Sequence, residues 1–190
     1  LKHYRIKENG FINIYKYFLN KKIDIWPRGL PLSKIKTAKK SFIELKIQSK
    51  KFSIIQRLCD ENPDVDAIYR LINKKIDIKF DKNKSFYVNN KSYIPFNSQN
   101  TIWFKEAFPL MYLPTYCTMR ATDIWRSYIA THIMNKLNMK ILFTSSTVYQ
   151  KRNIHNLYND FKLEIPVYID VENLIKELNT IKIYNAKDYM

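Results

Sequence analysis

Glycine is almost missing from this chain, with two in 190 residues. The turns that cradle phosphates in nucleotide-binding domains depend on glycine, because a residue without Cβ can take positive φ and let the backbone close on a ligand. Neither GxGxxG nor GxxxxGKS occurs, which excludes the dinucleotide fingerprint and the P-loop. Cysteine is equally scarce. Cys59 and Cys117 stand alone, with no CxxC, so a disulfide framework and a thiolate zinc site are excluded. Both are expected to be reduced, mostly buried thiols. No apolar run approaches the ~20 residues of a membrane span, and no signal-peptide pattern is seen.

Acidic residues are outnumbered, 17 against 33 Lys and Arg, for a formal charge of +16. A polyanion partner such as nucleic acid is one implication. The lysines are spread along the whole chain, however, and no RNP, zinc-finger or helix-turn-helix signature accompanies them, so no specific nucleic-acid partner is expected. What the chain does have is apolar and aromatic residues, 46% and 15% of the total. That is enough for a sizeable core.

Apolar periodicity outlines mixed elements. Phe52–Leu58 reads as a strand, Asp60–Pro63 as a turn, and Val65–Ile72 as a short helix with Asp64 near its start, where a carboxylate favours the helix dipole. Ile76–Phe80 alternates like a half-buried strand, and Phe86–Val88 is a possible hairpin partner. The clearest helix follows Thr122 and Asp123, either of which can serve as N-cap. Its apolar stripe is Ile124, Trp125, Tyr128, Ile129, Ile133, Met134 and Leu137, which leaves Arg126 on the surface. Ile141–Phe143 reads as a short buried strand, and Asp170 as the cap of a last helix through about Leu178. Alternating strands and helices predict a mixed α/β layer structure.

Four segments place Arg, Asp, Asn or Gln beside aromatic or turn residues at the ends of apolar elements: WPRGLPL (26–32), NPDVDAIYRL (62–71), PFNSQNT (95–101) and RATDIWRSYIA (120–130). Such ends are where α/β folds carry their sites. Each residue also has a structural reading. Arg28 can grip an anion bidentately or lie over Trp26. Asp64 and Asp66 are not a metal pair if helical, since i and i+2 carboxylates point apart, and Asp66 has the spacing for an ion pair with Arg70. Asn97, Gln99 and Asn100 carry donors and acceptors suited to hydroxyl groups or to holding their own loop. Asp123 can be a cap or a general base. His3, His132 and His155 are isolated.

In this order the four segments resemble the STELLO glycosyltransferase-like family (domain of unknown function 288). There is a more distant similarity to reversibly glycosylated polypeptides and UDP-arabinopyranose mutases. The resemblance rests on PDVDAIYRL, FNSQNT and TDIWR and runs from about Trp26 to about Asn153. It implies a GT-A-like mixed sheet with flanking helices, and transfer of a sugar from a nucleotide-sugar donor to a glycan or protein acceptor. The alternative is a non-catalytic interaction domain of the same fold. It implies Asp123 as base, with Arg28, Asp64, Asp66, Asn97, Gln99, Asn100 and Arg120 as substrate contacts. The family's Asp-Asp-Asp cluster upstream of Trp-Pro-Arg-Gly would hold a Mn²⁺ or Mg²⁺ ion, which prefers hard oxygen ligands. Here only Glu8 and Asp24 precede Trp26 as acidic residues. The expectation is that residues 1–190 form one domain, the C-terminal portion of the catalytic fold, without part of the nucleotide-binding half and inactive alone. Its metal ligands would lie outside this chain. Tyr149 stands near the place where related sequences carry a His.

Overall fold

The computed structural model describes residues 2–20, 23–36, 41–45, 51–73, 75–88 and 91–182. Six strands form one mixed sheet: β1 (Lys2–Ile6), β3 (Phe42–Leu45), β4 (Ile54–Asp60), β5 (Lys84–Tyr87), β7 (Thr101–Trp103) and β8 (Ile141–Tyr149), in the order β3-β1-β5-β8-β4-β7. β1 and β5 run parallel, as do β4 and β8, while β5 and β8 meet antiparallel. A two-strand ribbon, β2 (Gly10–Phe11) with β6 (Ser92–Tyr93), lies apart. The helices are α1 (Tyr15–Phe18), α2 (Ala67–Ile72), α3 (Thr122–Lys136) and α4 (Leu157–Thr180). The mixed α/β layering is therefore as the alternation of elements predicts.

The parallel pair β4 and β8 matters most for function. Its register runs from Ile54↔Ile141 to Asp60↔Tyr149, with an irregularity between Arg57 and Cys59. Both strands end on the same side, and each then feeds an irregular segment, 61–66 after β4 and 150–156 after β8. In open α/β sheets the crevice beyond the carboxyl ends of parallel strands is where ligands bind.

The core has two parts. The larger packs Ile6, Phe18, Ile54, Phe86, Ile94 and Phe143 around the sheet; the smaller joins Ala121, Ile124 and Tyr128 of α3 to Val167, Val171, Ile175 and Leu178 of α4. α3 lies between them, with Ala130 and Met134 in the first and Ile124 and Tyr128 in the second. It is therefore buried on two faces, and the single stripe read from periodicity describes only part of it. Arg126, expected on the surface, is 5% exposed. Its guanidinium lies 5.0 Å from the Trp103 ring centre, and its Nη2 donates to Ser98 Oγ at 3.0 Å. A planar cation can be buried in this way over an aromatic face.

Four further expectations are corrected. Residues 76–80 alternate in burial, with Ile78 and Phe80 buried, yet they form no strand; Ile78 makes one isolated bridge with Glu61. Both edges of β5 are already occupied by β1 and β8, so Phe86 has no hairpin partner there. The last helix starts at Leu157, capped by Asn156, whose side chain accepts from Asn159 N at 3.1 Å. Asp170 lies in its interior. The N-cap of α3 is Ala121, without a side-chain cap. The carboxylate of Asp123 and the hydroxyl of Thr122 bond elsewhere, Thr122 Oγ1 donating to Pro114 O at 2.7 Å. Among the described residues no helix is long and apolar enough to cross a membrane.

Candidate functional site

The four polar segments, distant in sequence, meet around one guanidinium group. Arg28 is 9% exposed. Its Nε donates to Asp64 Oδ1 at 3.0 Å and its Nη2 to Asp64 Oδ2 at 2.8 Å. From the other side Nη1 and Nη2 donate to Asp123 Oδ1 and Oδ2, both at 3.1 Å. Nη1 also donates to the carbonyl of Arg120. All five N–H groups of the fork are thereby used. A buried cation with two carboxylates in bidentate contact is a rigid three-part clamp. It leaves Arg28 no donor for a phosphate and does not place it over Trp26.

Local sequence explains how the clamp is set. Pro27 and Gly29 turn the chain, and Gly29 has φ +90°. A Cβ there would lie 2.4 Å from Ile124 Cγ2, so the loop can approach α3 this closely only with glycine. The carbonyl of Gly29 accepts from Tyr128 Oη at 2.8 Å, and Arg28 N donates to Asp64 O at 2.9 Å. Asp66 caps α2, accepting from Tyr69 N at 2.7 Å and from Trp26 Nε1 at 2.6 Å. No Asp66–Arg70 ion pair forms; Arg70 Nη2 donates to Pro63 O at 2.9 Å instead.

The polar loop 97–100 joins the clamp through Ser98. Its N–H donates to Asp123 Oδ2 at 3.3 Å, and its hydroxyl accepts from Arg126. The amides singled out in sequence mostly hold the loop. Asn97 Oδ1 accepts from Gln99 N at 2.9 Å. Asn100 Nδ2 donates to Leu58 O and Thr147 Oγ1, both at 3.1 Å. Gln99 Nε2 donates to Gln150 Oε1. The crevice between Arg28, Gln56, Asn97 and Gln99 has a volume of about 10 Å³, room for about one water. A wider groove of about 560 Å³ opens on the far side of Arg126, lined by Tyr112, Tyr116, Trp125, Ile129 and Leu174.

Arg120 faces away from Arg28. Its Nε and Nη2 donate to Glu164 Oε1, and its Nη1 lies 3.5 Å from Asp160 Oδ1. The second oxygen of Glu164 accepts from Ala67 N at 2.8 Å and from Tyr168 Oη at 2.6 Å. Asp160 and Glu164 are 5% and 0% exposed. Sequence reasoning missed both, because it started the last helix at Asp170, after them, whereas the helix begins at Leu157. The stripe Asp160, Glu164, Val167, Val171, Ile175, Leu178, at steps of three and four, was the signal that could have found them.

The electrostatics separate two kinds of carboxylate. Burial would raise Asp64, but the charge and hydrogen bonds of Arg28 outweigh it and hold the group below the usual carboxylate range. Asp66 has no guanidinium beside it. Burial pushes it up to about 6, despite the bonds from Tyr69 and Trp26. A carboxyl raised in the fold stabilises it fully below the unfolded pKa of ~3.9 and loses that contribution as pH rises through 6. The stability of the wild type relative to Asp66→Asn is therefore expected to grow by on the order of 2 kcal/mol as pH falls from 7 to 4. Urea titrations of both proteins across that range measure it, and a difference that stays flat would refute it.

Among the described residues no group of three or more His, Cys, Asp or Glu is arranged to hold a metal ion. Asp64 and Asp123 face Arg28, and Tyr149 is exposed at the end of β8. The donor set here does not fit a divalent cation. Cys59 is buried and Cys117 half-buried, both free thiols.

Comparison with known proteins points one way. Residues 120–189, from the RATDIWR segment onward, match the family profile described as STELLO glycosyltransferases. Over 172 residues the chain is 27% identical to the probable glycosyltransferase STELLO2 of Arabidopsis thaliana. It is 26% identical to the probable glycosyltransferase STELLO1 of the same plant. Each alignment covers 88% of this chain but 22% of the relative, so the chain spans about a fifth of the length of the curated relatives it matches.

Proposed function

We propose that this chain, which is similar to the STELLO glycosyltransferase family, forms part of an enzyme transferring a sugar from a nucleotide-sugar donor to a hydroxyl acceptor. The observation that carries the reading is the Asp64–Arg28–Asp123 clamp beyond the ends of β4 and β8. Asp123 accepts three hydrogen bonds, two from Arg28 and one from Ser98. A carboxylate has about four lone-pair sites. One on Oδ1 is left, and it is the place for an acceptor hydroxyl whose proton Asp123 takes as the sugar is transferred. Arg28 orients this carboxylate and does not bind substrate itself. Asp64 fixes Arg28. Asn97, with its oxygen held by Gln99 N, lines the one-water crevice and holds the polar loop against the clamp. The acceptor lies toward the aromatic groove beside Arg126, where Tyr112, Tyr116 and Trp125 offer faces to sugar rings.

A mixed sheet with flanking helices and polar loops gathered at one end supports a GT-A-like reading of the fold. A Mn²⁺ or Mg²⁺ ion, where the full-length protein uses one, is held by residues outside those described. No step of the chemistry above passes through it. The test is calorimetry with UDP-sugars and Mn²⁺, on this chain and on the full gene product that carries it, together with a transfer assay. Metal-dependent donor binding and turnover by the longer protein, and neither by this chain, are expected. A longer protein that binds donor but never turns it over would favour the interaction-domain alternative.

A further inference from the structure

Beyond the clamp, the described polar layer separates its charges. At the Arg28 end one guanidinium faces two carboxylates. Toward the segment after β8, three guanidinium groups, Arg70, Arg120 and Arg152, meet two, Asp160 and Glu164. Arg120 takes Glu164, and Asp160 is shared, at 3.5 Å from Arg120, 3.4 Å from Arg152 and 3.6 Å from His155. Among the described residues Arg70 has no carboxylate within ion-pair distance, although it is 7% exposed. Its hydrogen bonds go to neutral oxygens, Pro63 O at 2.9 Å and Asn62 Oδ1 at 3.4 Å. Each Nη thus makes one hydrogen bond among the described residues. The Nε–H of Arg70 is unmatched, as is that of Arg152.

A buried cation without an anion is costly, and folds rarely keep one without use. Burial, then the neighbouring charge of Arg152, push Arg70 down to about 10. Both arginines line an open, polar recess of about 210 Å³ with Asn62, Asn73, Asn153 and His155. The recess lies beyond the carboxyl ends of the parallel strands β4 and β8, between α2 and the segment entering α4.

We propose that this recess binds a phosphate group, seated between the guanidinium forks of Arg70 and Arg152 with the amides of Asn73 and Asn153 as further donors. Two planar forks match the oxygens of a phosphate better than a single carboxylate would, and Arg suits such bidentate contacts. The phosphate can belong to a nucleotide diphosphate or be free in solution, and the recess selects it by the same chemistry. The site stands on its own geometry. Only the nucleotide source rests on the transferase reading above.

Calorimetry of this chain with pyrophosphate, inorganic phosphate, UDP and uridine tests the site. Phosphate-bearing probes are expected to bind and uridine to give no heat. Arg70→Gln and Arg152→Gln are each expected to weaken binding at least tenfold, while Lys51→Gln, at an exposed lysine, leaves it unchanged. UDP binding tighter than pyrophosphate identifies a nucleotide as the source. Equal affinities identify the free anion, and leave the site standing even if the transferase reading fails. Should Arg70→Gln not fold, Arg152→Gln with unchanged circular dichroism carries the test, and Arg152→Lys, which keeps the charge without the fork, should fall between it and the wild type. Absence of binding by every phosphate-bearing probe, or affinity unmoved by the arginine substitutions, would overturn the proposal.

Discussion

Replacing Arg28 with methionine should lower folding stability by about 3–5 kcal/mol, the usual consequence of removing one partner from a buried ion pair. The size follows from what remains. Asp64 and Asp123 would face each other with side chains 13% and 15% exposed and no counterion between them, and the carbonyl of Arg120 would lose its donor. The pH dependence provides the sharper signature. In the wild type Asp64 is held below its ordinary pKa, so its contribution is present above ~4 and is lost as pH falls through the folded value. In Arg28→Met the Asp64 carboxyl is buried without its cation, so its pKa rises and protonation relieves the fold. The gap between wild type and variant should therefore narrow as pH falls from 7 to 4.5, because the variant recovers while the Asp64 contribution of the wild type is still intact. Urea unfolding at pH 7 and pH 4.5 tests both halves. A loss below about 1 kcal/mol, or parallel slopes, would mean that the clamp is solvated.

The second large effect concerns chemistry. Asp123→Asn in the full-length protein should reduce turnover by about 10²–10⁴, the contribution of a positioned general base, while donor affinity stays the same. Asparagine keeps one oxygen for Arg28, so a simple loss of activity would not separate base from brace. Asp64→Asn makes that separation, because it weakens the hold on Arg28 and leaves the Asp123 carboxylate in place. The base role requires Asp123→Asn to be far worse than Asp64→Asn in turnover, with donor affinity unchanged in both. Equal losses in the two variants would reduce Asp123 to a positioning residue.

The sequence made the gathering of polar segments legible because three of the four carry turn residues at the end of an apolar element, and the fourth begins a helix. Such ends collect where parallel strands stop. It did not disclose which groups pair. Asp66 has the spacing for Arg70, yet its carboxylate caps α2 and bonds Trp26, forty residues away. Spacing within a helix says nothing of a neighbour brought in by tertiary packing. Alternation at 76–80 was read as a strand, and the burial does alternate; the period reports which side chains face the core, not whether a neighbouring backbone is free to pair. The first turns of α4 were not visible from a cap at Asp170; the helix runs through Pro166, because a proline removes one helical N–H while packing of both flanking turns holds the helix together. The burial of Arg126 needed a tryptophan from β7, which no window of sequence around α3 contains.

Glu164 gives the molecule an order of assembly. Its carboxylate is the acceptor for the first amide of α2 and for the side chain of Arg120, both of which precede it in the chain. As the polypeptide emerges from the ribosome, the donors at 67 and 120 must wait, solvated, until residue 164 is made. The sheet-side core can condense earlier, but the polar layer cannot close until α4 arrives. In vectorial synthesis the region proposed to act on substrate is thus among the last parts of the described structure to become native.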